Sequence, residues 1–323
     1  MKPLVSICLP TYNGSARIGE ALESALAQTY EPVEIVVCDN ASTDDTLAVV
    51  RSFADRRIRV ERGGRNVGLA GNHNRCVLTA RGQLIKFLHD DDVLFPNCVQ
   101  RMVDLFRSSD RLGLVFSPRD VLLAAPDRTD VQSRDWVARY GTLHDGFARL
   151  DPVNDGPSLV GQYLSRFMAD GFRENWFGEP SVVMVKRACF DSVGFFNERL
   201  RQSLDAEMWL RIAGSYQVGF VSEPLSAFRL RWNSASRQAE QERSAWLDRL
   251  WLLEGLIEDE RLRRRYPRLR YVRLRETARV LREQAERLLA GDSDLRPLGA
   301  YARHRLMVLG GRASELHATR STL

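Results

Sequence analysis

The chain has 323 residues, 44% of them hydrophobic, and a net charge of +5. That length suits one large domain or two smaller ones, and the apolar fraction is ordinary for a globular protein in water. Apolar runs of the ~18 residues that a membrane span needs do not occur, and the N-terminus lacks a signal-peptide pattern. We therefore expect a cytoplasmic protein. Five scattered cysteines without a Cys-x-x-Cys pair predict reduced thiols rather than disulfides or a zinc site.

Strand-like and helix-like segments alternate over the first part of the chain. Short apolar runs bounded by turn residues predict strands. Helical spacing of apolar residues, or a capping pattern such as "STDD", predicts the helices between them. Because the strands are apolar on both faces, we expect a doubly wound α/β fold with a mostly parallel sheet between layers of helices. The predicted strands span about 4–10, 33–38, 57–61, 84–89 and 113–117, and the predicted helices about 18–26, 42–53, 69–80 and the stretch after Pro96.

The second part of the chain is less regular. Residues 121–177 are rich in Asp, Arg, Gly and Pro, and we expect loop with short helices there, as in a mobile lid or an acceptor-side insertion. A strand at 181–187, a helix at 205–214 and a strand at 217–221 are predicted next. Beyond Ser234 the sequence predicts helices with two apolar stripes. The first stripe is Trp246, Leu247, Leu250, Trp251, Leu256 and Ile257, and the second is Val272, Ala278, Leu281, Ala285, Leu288 and Leu289.

Positive charge is concentrated in this last region. Residues 240–323 hold 18 basic and 13 acidic side chains, which accounts for the whole excess, and "RLRRRYPRLRYVRLR" at 261–275 is especially rich in arginine. Such helices could contact anionic lipid headgroups at the inner face of a membrane. The ordinary alternative is a solvated surface, with the apolar stripes packed on each other, on the rest of the chain or across a homodimer. Nucleic acid is not expected, because no recognition motif accompanies the charge.

Polar groups follow three of the predicted strands. "TYNG" follows the first strand, "DNAS" the second and "HDDD" the fourth. In open parallel sheets, ligands bind beyond the carboxyl ends of the strands. Consecutive carboxylates there suit Mg²⁺ or Mn²⁺, which usually complete their shell with substrate phosphates. The alternative is an acidic helix start, in which Asp92 favours a helix dipole. Dinucleotide-binding and P-loop motifs are absent, which argues against NAD enzymes and P-loop kinases.

Taken together, "VSICLPTYNG", "EIVVCDNASTDDT", "NVGLAGNHN" and "LIKFLHDDDVLFP" resemble the nucleotide-binding half of family 2 glycosyltransferases, which have the GT-A fold. The later segment "GEPSVVMVKRACFDSVGFFNERLRQSLDAEMWLRI" is similar to the acceptor half of the same family. The resemblance implies a GT-A domain at 1–234, with its nucleotide-binding half at 1–117 and its acceptor half at 118–234. A helical, arginine-rich region at 235–323 would follow.

The resemblance also implies roles at the strand ends. Asp39 would bind the base, and two asparagines would shape the nucleotide side. The family's metal motif is commonly Asp-x-Asp-Asp. Here His89 occupies the first place, Asp91 the metal-ligand place and Asp90 the variable place, so Asp90 is a second metal candidate and the ribose contact is open between His89 and Asp90. Asp92 would start a helix. The residues expected around the base, ribose and nucleotide side are Pro10, Thr11, Tyr12, Asn13, Asn66 and Asn74.

On the acceptor side, the family's general base is an aspartate before a Trp-Leu helix, and Asp205 matches it, with Leu204 in place of the usual glutamate. A helix cap is the alternative role for Asp205, and Glu207 is a rival base. The segment 179–181 would lie near a sugar. Arg231 stands where the family often has histidine, and an arginine there could meet the diphosphate.

The implied activity is metal-dependent, inverting transfer of a sugar from a nucleotide-diphospho-sugar to an acceptor hydroxyl, in surface polysaccharide or glycoconjugate assembly. The acceptor would be a glycan, a lipid-linked molecule or another hydroxyl compound. One alternative is a sugar-phosphate nucleotidyltransferase, which should carry a glycine- and arginine-rich loop after the first strand, unlike "TYNGSARIG". Another is a membrane-associated binding module without catalysis.

Overall fold

A computed structural model of the chain contains eleven strands and nine α-helices within the residues that it describes. These residues are 2–123, 177–230 and 245–289, together with positions 137, 156–158, 175, 299 and 301–302. The strands are β1 (Val5–Thr11), β2 (Val33–Asp39), β3 (Ile58–Arg62), β4 (Leu84–Phe87), β5 (Val93–Leu94), β6 (Leu112–Phe116), β7 (Asp120–Leu123), β8 (Gly156–Ser158), β9 (Val183–Lys186), β10 (Gln217–Phe220) and β11 (Ser226–Leu230). The helices are α1 (Ile18–Leu26), α2 (Thr46–Ser52), α3 (Gly68–Thr79), α4 (Cys98–Phe106), α5 (Ala188–Val193), α6 (Leu204–Ser215), α7 (Ala245–Glu258), α8 (Glu260–Arg265) and α9 (Leu269–Leu289), with a 3-10 turn at Pro180–Val182.

The main sheet has the order β3-β2-β1-β4-β9-β6-β10-β8. Strands β3, β2, β1 and β4 run parallel, as do β6 and β10. Strand β9 lies antiparallel between β4 and β6, and β8 pairs antiparallel with β10. The predicted mostly parallel sheet is therefore confirmed. Strand β9 belongs to the acceptor half predicted from sequence, so that half joins the sheet beside the exit of β4.

The two faces of the sheet pack into two hydrophobic clusters. Ile7 and Ile35 lie in the cluster that holds the buried side chains of α1, α2 and α4. Cys8 and Val36 lie in the other, with the buried side chains of α3, α6 and the C-terminal helices. Strands β1 and β2 are buried along their whole length. Burial on both faces is why these strands read as continuous apolar runs.

A small second sheet, β5-β11-β7, supports the loop after β4. Strand β5 follows the three consecutive aspartates directly and pairs antiparallel with β11. Most of the segment 121–177, expected to be loop with short helices, lies outside the described residues. Its described parts include the end of β7 and the whole of β8, so strands occur where none were predicted.

Helix α2 begins later than the "STDD" pattern predicts. It starts at Thr46, and the preceding polar residues serve the neighbouring loops. The Ser42 amide donates to the Asp39 carboxylate, and the Thr46 amide donates to Asp44. The capping-box interpretation is therefore wrong, because Ser42 Oγ accepts the Asn13 amide and Asp44 accepts the Ser15 amide, both from the loop after β1.

The C-terminal helices share a core with the sheet. Leu250, Leu253 and Leu256 of α7 are buried in the same cluster as Trp209 of α6. The first apolar stripe thus packs on the rest of the chain, one of the arrangements expected. The second stripe divides: Val272 is buried, but Leu281 is exposed. Across the described helices, none is both long and apolar enough to cross a bilayer.

A close approach at Gly255 gives a test of this packing. A Cβ atom there would lie 2.3 Å from Glu207 Oε1, and that carboxylate is held by Arg211 beneath α7. We expect Gly255→Ala to destabilise the fold by about 1–3 kcal/mol through overpacking. In the matched control, Gly19→Ala in α1, the new Cβ would meet its nearest neighbour at 3.8 Å. That variant should gain up to about 1 kcal/mol from helix propensity.

Urea unfolding of both variants measures the difference. Equal stabilities for Gly255→Ala and wild type would contradict the tight contact between α7 and α6.

Candidate functional site

The carboxyl ends of β1, β2 and β4 meet at one edge of the sheet. Thr11 Oγ1 at the end of β1 donates to Asp90 Oδ2 after β4, at 2.5 Å. On the other side, the Asn13 amide donates to Ser42 Oγ after β2, at 2.9 Å. Strand β1 is the central partner of both neighbours, so its exit residues can bond to both loops. The three polar exits singled out in the sequence therefore form one continuous surface.

The residues expected around a base and ribose begin this surface. Pro10 and Thr11 are buried in β1, whereas Tyr12 is exposed beyond it. Asn13 adopts a positive φ of 53°, a conformation that asparagine tolerates better than most residues. Its Oδ1 accepts the Thr43 amide at 2.9 Å, which fixes the turn against the loop after β2.

Asp39 lies fully buried at the end of β2. Its two carboxylate oxygens accept the Ser42 amide at 3.2 and 3.3 Å. The next residue, Asn40, was not singled out in the sequence, yet it organises the following loop. Its Nδ2 donates to Asn66 Oδ1 at 2.8 Å and its Oδ1 accepts the Val67 amide at 2.9 Å. Asn66 is thus held beside the exit of β2.

Asn74 has a different set of contacts from the one expected. Its side-chain amide donates to the Phe196 carbonyl at 3.0 Å and to Glu198 at 3.1 Å, and its Oδ1 accepts the Phe196 amide at 2.8 Å. These bonds clamp α3 to the loop after α5. They give Asn74 a structural contact, and its contact with a nucleotide stays a prediction.

His89, Asp91 and Asp92 form a candidate metal-binding group. Each can offer one ligand atom, and these three atoms all lie within 4.8 Å of one another. An imidazole with two carboxylates is a donor set that fits a divalent cation. In the described part of the chain, no second group of three such side chains comes as close together. Asp90, the other predicted metal ligand, is bonded to Thr11 instead, and its metal role stays a prediction.

The prediction that Asp92 starts a helix is wrong. Helix α4 begins at Cys98, and Asp92 is fully buried before β5. Its Oδ2 accepts Ser181 Oγ at 2.5 Å and its Oδ1 accepts the Arg229 amide at 2.9 Å. Burial raises the pKa of Asp92, and the neighbouring Asp91 carboxylate raises it further. A bound cation would offset both effects, because it stabilises the ionised carboxylate.

His89 of this group lies beside a second histidine, His73. His73 Nδ1 is 2.9 Å from the Leu69 carbonyl oxygen, and His73 Nε2 is 3.3 Å from His89 Nε2. Burial, with a smaller contribution from the neighbouring His89, lowers the pKa of His73 to about 3, so the His73 ring is neutral at ordinary pH. His89 Nδ1 lies 3.9 Å from Asp92 Oδ2.

Asp205 stands in the first turn of α6, on the acceptor side. Its Oδ2 accepts Asn175 Nδ2 at 3.0 Å and its Oδ1 accepts the Ala206 amide at 2.7 Å. Loss of water around the carboxyl raises the pKa of Asp205 to about 7, and the negative charge of Glu179 adds to the rise. A carboxyl with that pKa can accept a proton near neutral pH.

Glu207, the rival candidate, is not placed to act as the general base. Glu207 is buried, and its two oxygens accept Arg211 Nε at 2.8 Å and Arg211 Nη2 at 2.9 Å. It is a packing residue beneath α7, and the proposal that it is the base is wrong. Arg231, the expected diphosphate contact, lies outside the described residues. Arg229, two residues earlier, does lie at the site, where its Nε donates to the Asp91 carbonyl at 3.0 Å.

Sequence reasoning did not predict that Ser181 and Lys86 support the metal-binding group. Ser181 accepts the His89 amide at 3.0 Å besides donating to Asp92. Lys86 is fully buried in β4, and its Nζ donates to the carbonyls of Phe87 and Ser181. Burial lowers the pKa of Lys86 to about 8. A lysine inside an apolar strand was the available signal, since a buried lysine needs nearby acceptors.

Glu179 was expected near a sugar, and it is held by a buried arginine. Arg119 Nε donates to its two oxygens at 3.1 and 2.9 Å, and Arg119 Nη2 donates to Oε1 at 2.7 Å. The Arg119 guanidinium also lies 5.2 Å from the centroid of the Phe228 ring. The segment 179–181 therefore runs between two fixed ends: Glu179 acts electrostatically on Asp205, and Ser181 bonds to Asp92.

Comparison with known proteins identifies the family. The model for "Glycosyl transferase family 2" matches residues 6–150. An uncharacterized protein of Mycobacterium tuberculosis is 37% identical over 258 residues, covering 80% of this chain and 77% of that protein. An uncharacterized glycosyltransferase of Rickettsia prowazekii is 23% identical over 257 residues, covering 76% of this chain and 70% of the relative.

Solved structures share the fold. Staphylococcus aureus TarS 1–349 in complex with UDP-GlcNAc superposes with a TM-score of 0.60 and 17% identity, over 80% of this chain and 68% of that TarS 1–349 chain. The mannosyltransferase PcManGT from Pyrobaculum calidifontis, in complex with GDP-Man and Mn²⁺, superposes with a TM-score of 0.55 and 16% identity, over 96% of this chain and 81% of that enzyme. With the family match over the strands that carry the site, the chain belongs to glycosyltransferase family 2 and has the GT-A fold.

Proposed function

We propose that this glycosyltransferase moves a sugar from a nucleotide-diphospho-sugar to an acceptor hydroxyl, with a divalent cation and with inversion at the anomeric carbon. The observation that carries the proposal is the segment 179–181. It contacts the metal-binding group through Ser181 and acts on the candidate base Asp205 through Glu179. A leaving-group site and a proton-accepting site therefore flank one short stretch of backbone.

The donor would lie across the strand ends. Tyr12 and Asn13 would line the nucleotide, with Asp39 at the base and Asp90 or His89 at the ribose. TarS binds UDP-GlcNAc and PcManGT binds GDP-Man, which supports the same class of donor here. His89, Asp91 and Asp92 would hold Mg²⁺ or Mn²⁺. When bound, that cation would stabilise the negative charge that develops on the leaving diphosphate.

Asp205 would act as the general base. As the acceptor oxygen attacks the anomeric carbon, its proton passes to the Asp205 carboxylate. The bond from that carbon to the diphosphate breaks, and the diphosphate leaves with the electron pair. Attack from the face opposite the diphosphate inverts the anomeric configuration. Asn175 and the Ala206 amide hold the carboxylate in place for this step.

We place this chemistry in a GT-A domain at 1–234, with the nucleotide half at 1–117 and the acceptor half at 118–234. The product would be a surface polysaccharide or another glycoconjugate, and the acceptor a glycan or a lipid-linked molecule. The family match argues against the alternative of a sugar-phosphate nucleotidyltransferase.

We further propose that the outer face of α9 rests on an anionic lipid surface, as a cytoplasmic enzyme at the inner face of a membrane would require. Leu274 and Leu281 on this face are 61% and 45% exposed. Arginines flank them, and long basic side chains beside an apolar stripe suit the interface of a bilayer. Among the α9 positions with described side chains, and Arg268 just before them, the exposed charges are Arg268, Arg270, Arg275, Arg282 and Glu286.

A second copy of the chain fits this face less well. Pairing two such faces would bring arginine rows together with one exposed acid each, whereas anionic headgroups complement the charge. The dimer expected as an alternative is therefore an outcome of the test and not the proposed partner.

Donor turnover tests the proposed activity. We expect the full chain to hydrolyse at least one nucleotide-diphospho-sugar from a panel of UDP, GDP and dTDP sugars, only with Mg²⁺ or Mn²⁺. Asp91→Ala should abolish the metal-dependent rate. Asp205→Asn should keep donor affinity but lower turnover by about 10²–10⁴-fold, as loss of a general base does. Asp191→Asn, on an exposed part of α5, is the matched control.

Failure to bind or turn over any donor, with Asp91→Ala equal to wild type, would overturn the proposal. Loss of donor binding in Asp205→Asn would remove Asp205 from the base role.

The raised pKa of Asp205 predicts a pH dependence. Only the ionised carboxylate accepts a proton, so kcat/KM should rise as pH passes through about 7. Stability should change in the opposite direction: the folded pKa exceeds the unfolded value, so the wild type loses stability as pH rises from about 4 to 7. The neutral Asp205→Asn variant escapes that loss. Its Tm relative to wild type should therefore be higher at pH 8 than at pH 5, and a constant difference would contradict the shift.

Vesicle sedimentation tests the lipid contact. We expect binding to phosphatidylglycerol vesicles at low salt, weaker binding at high salt and little binding to phosphatidylcholine. The double variant Leu274→Asp/Leu281→Asp should lose binding. Leu78→Asp is the matched control, since Leu78 on α3 is 71% exposed and lies far from α9 in sequence. A wild-type dimer that the double variant converts to monomer, with no vesicle binding, would assign the face to a second copy instead.

A further inference from the structure

We propose that His73 fixes the ring tautomer of His89, so that His89 presents a nitrogen ligand, Nδ1, to the divalent cation and makes the site prefer Mn²⁺ to Mg²⁺. This inference rests on the proposed metal-dependent function and specifies how two residues of this chain select the ion. His73 does not reach the ion in this scheme, and it is a positioning residue.

The tautomer of His73 follows from its contact with the Leu69 carbonyl. Its Nδ1 lies 2.9 Å from the Leu69 carbonyl oxygen. A carbonyl oxygen only accepts, so Nδ1 carries the proton. The ring is fully buried, with ring centroids of Phe87 and Phe196 at 5.4 and 5.2 Å. Such apolar surroundings favour the neutral imidazole, which leaves Nε2 of His73 as a hydrogen-bond acceptor.

The tautomer of His73 in turn determines the tautomer of His89. The two Nε2 atoms are 3.3 Å apart, and the rings meet edge to face. Because His73 Nε2 accepts, His89 must donate from Nε2. A neutral His89 then carries its lone pair on Nδ1. The relay runs from the Leu69 carbonyl through His73 to His89, and each link has only one allowed direction.

Nδ1 of His89, which carries the lone pair, lies in the metal-binding group. Nδ1 of His89 is the nitrogen 3.9 Å from Asp92 Oδ2, and the ligand atoms of His89, Asp91 and Asp92 lie within 4.8 Å. The His89 backbone is anchored independently, since its amide donates to Ser181 Oγ at 3.0 Å. Metal-bound histidines commonly have their second ring nitrogen oriented by a hydrogen-bond partner. Here another histidine would supply that partner.

The ligand type sets the preference among ions. Mg²⁺ favours oxygen ligands and keeps several waters, whereas imidazole nitrogen suits later divalent metals. Affinity for a site with nitrogen rises from Mn²⁺ towards Co²⁺. One imidazole among carboxylates should therefore favour Mn²⁺ and Co²⁺ over Mg²⁺ more than an all-carboxylate site would.

Pulsed EPR of bound Mn²⁺ is the direct test. The probe is Mn²⁺ with the full chain, alone and with inorganic pyrophosphate. We expect a ¹⁴N coupling from directly bound imidazole in the wild type and none in His89→Asp, which replaces nitrogen by oxygen. Competition binding should show that His89→Asp lowers the preference for Mn²⁺ over Mg²⁺ by about tenfold or more, in line with the effect of ligand type.

Two variants of His73 test the relay. His73→Phe keeps a buried ring but removes the acceptor, and should weaken Mn²⁺ binding by about 10–100-fold, as loss of an orienting partner does. His73→Gln can donate to the Leu69 carbonyl and accept from His89, so it should recover part of the affinity. Circular dichroism and Tm of each variant separate this effect from misfolding, and His89→Asp tests the ligand independently of the buried position.

Bound Mn²⁺ without ¹⁴N coupling in the wild type would overturn the inference, as would equal Mn²⁺ affinity in His73→Phe and wild type. If donor turnover stays metal-dependent in that case, the proposed function stands and only the nitrogen ligand is lost. Absence of both divalent-cation binding and metal-dependent donor hydrolysis would overturn the two together.

Discussion

One buried carboxylate, that of Asp92, joins the parts of the chain that make the site. It accepts Ser181 Oγ from the turn before β9 and the Arg229 amide from β11, and it lies itself in the loop between β4 and β5. Burial of an acid is unfavourable unless its oxygens are hydrogen-bonded, and here both are. The buried Lys86 lies close enough for the Asp92 charge to oppose the lowering of its pKa. The position of the whole "HDDD" loop depends on this network.

The same network relates the two halves of the proposed reaction. Ser181 ends a segment that begins at Glu179, and Glu179 is fixed by the fully buried Arg119 side chain. Desolvation of the Asp205 carboxyl, together with the nearby negative charge of Glu179, raises the pKa of Asp205 to about 7. Asp92 and Asp205 thus have raised pKa values for a shared reason, desolvation, but in different settings. A bound cation would lower the pKa of Asp92 again, whereas Asp205 would keep its raised pKa and accept the proton of the acceptor.

The C-terminal helices are part of the same folded unit as α6. Glycine at position 255 lets α7 approach the Glu207–Arg211 pair, and Arg211 also donates to the Phe195 carbonyl at 2.6 Å. Glu207, which the sequence offered as a candidate base, is therefore paired with Arg211 in the packing between α6 and α7. Helix α9 lies on α7 and keeps a partly apolar outer face, so the region can support the fold and still offer a surface.

The sequence by itself determined the mostly parallel sheet, most of its helices and the three polar strand exits, because apolar runs and the residues that end them are local features of the chain. It did not determine which of three adjacent aspartates is buried, since a loop has no periodicity that separates inside from outside. Nor did it place His73 beside His89 or Ser181 beside Asp92. Those pairs join segments 16 and 89 residues apart, and only the packing of α3 and β9 around the exit of β4 brings them together.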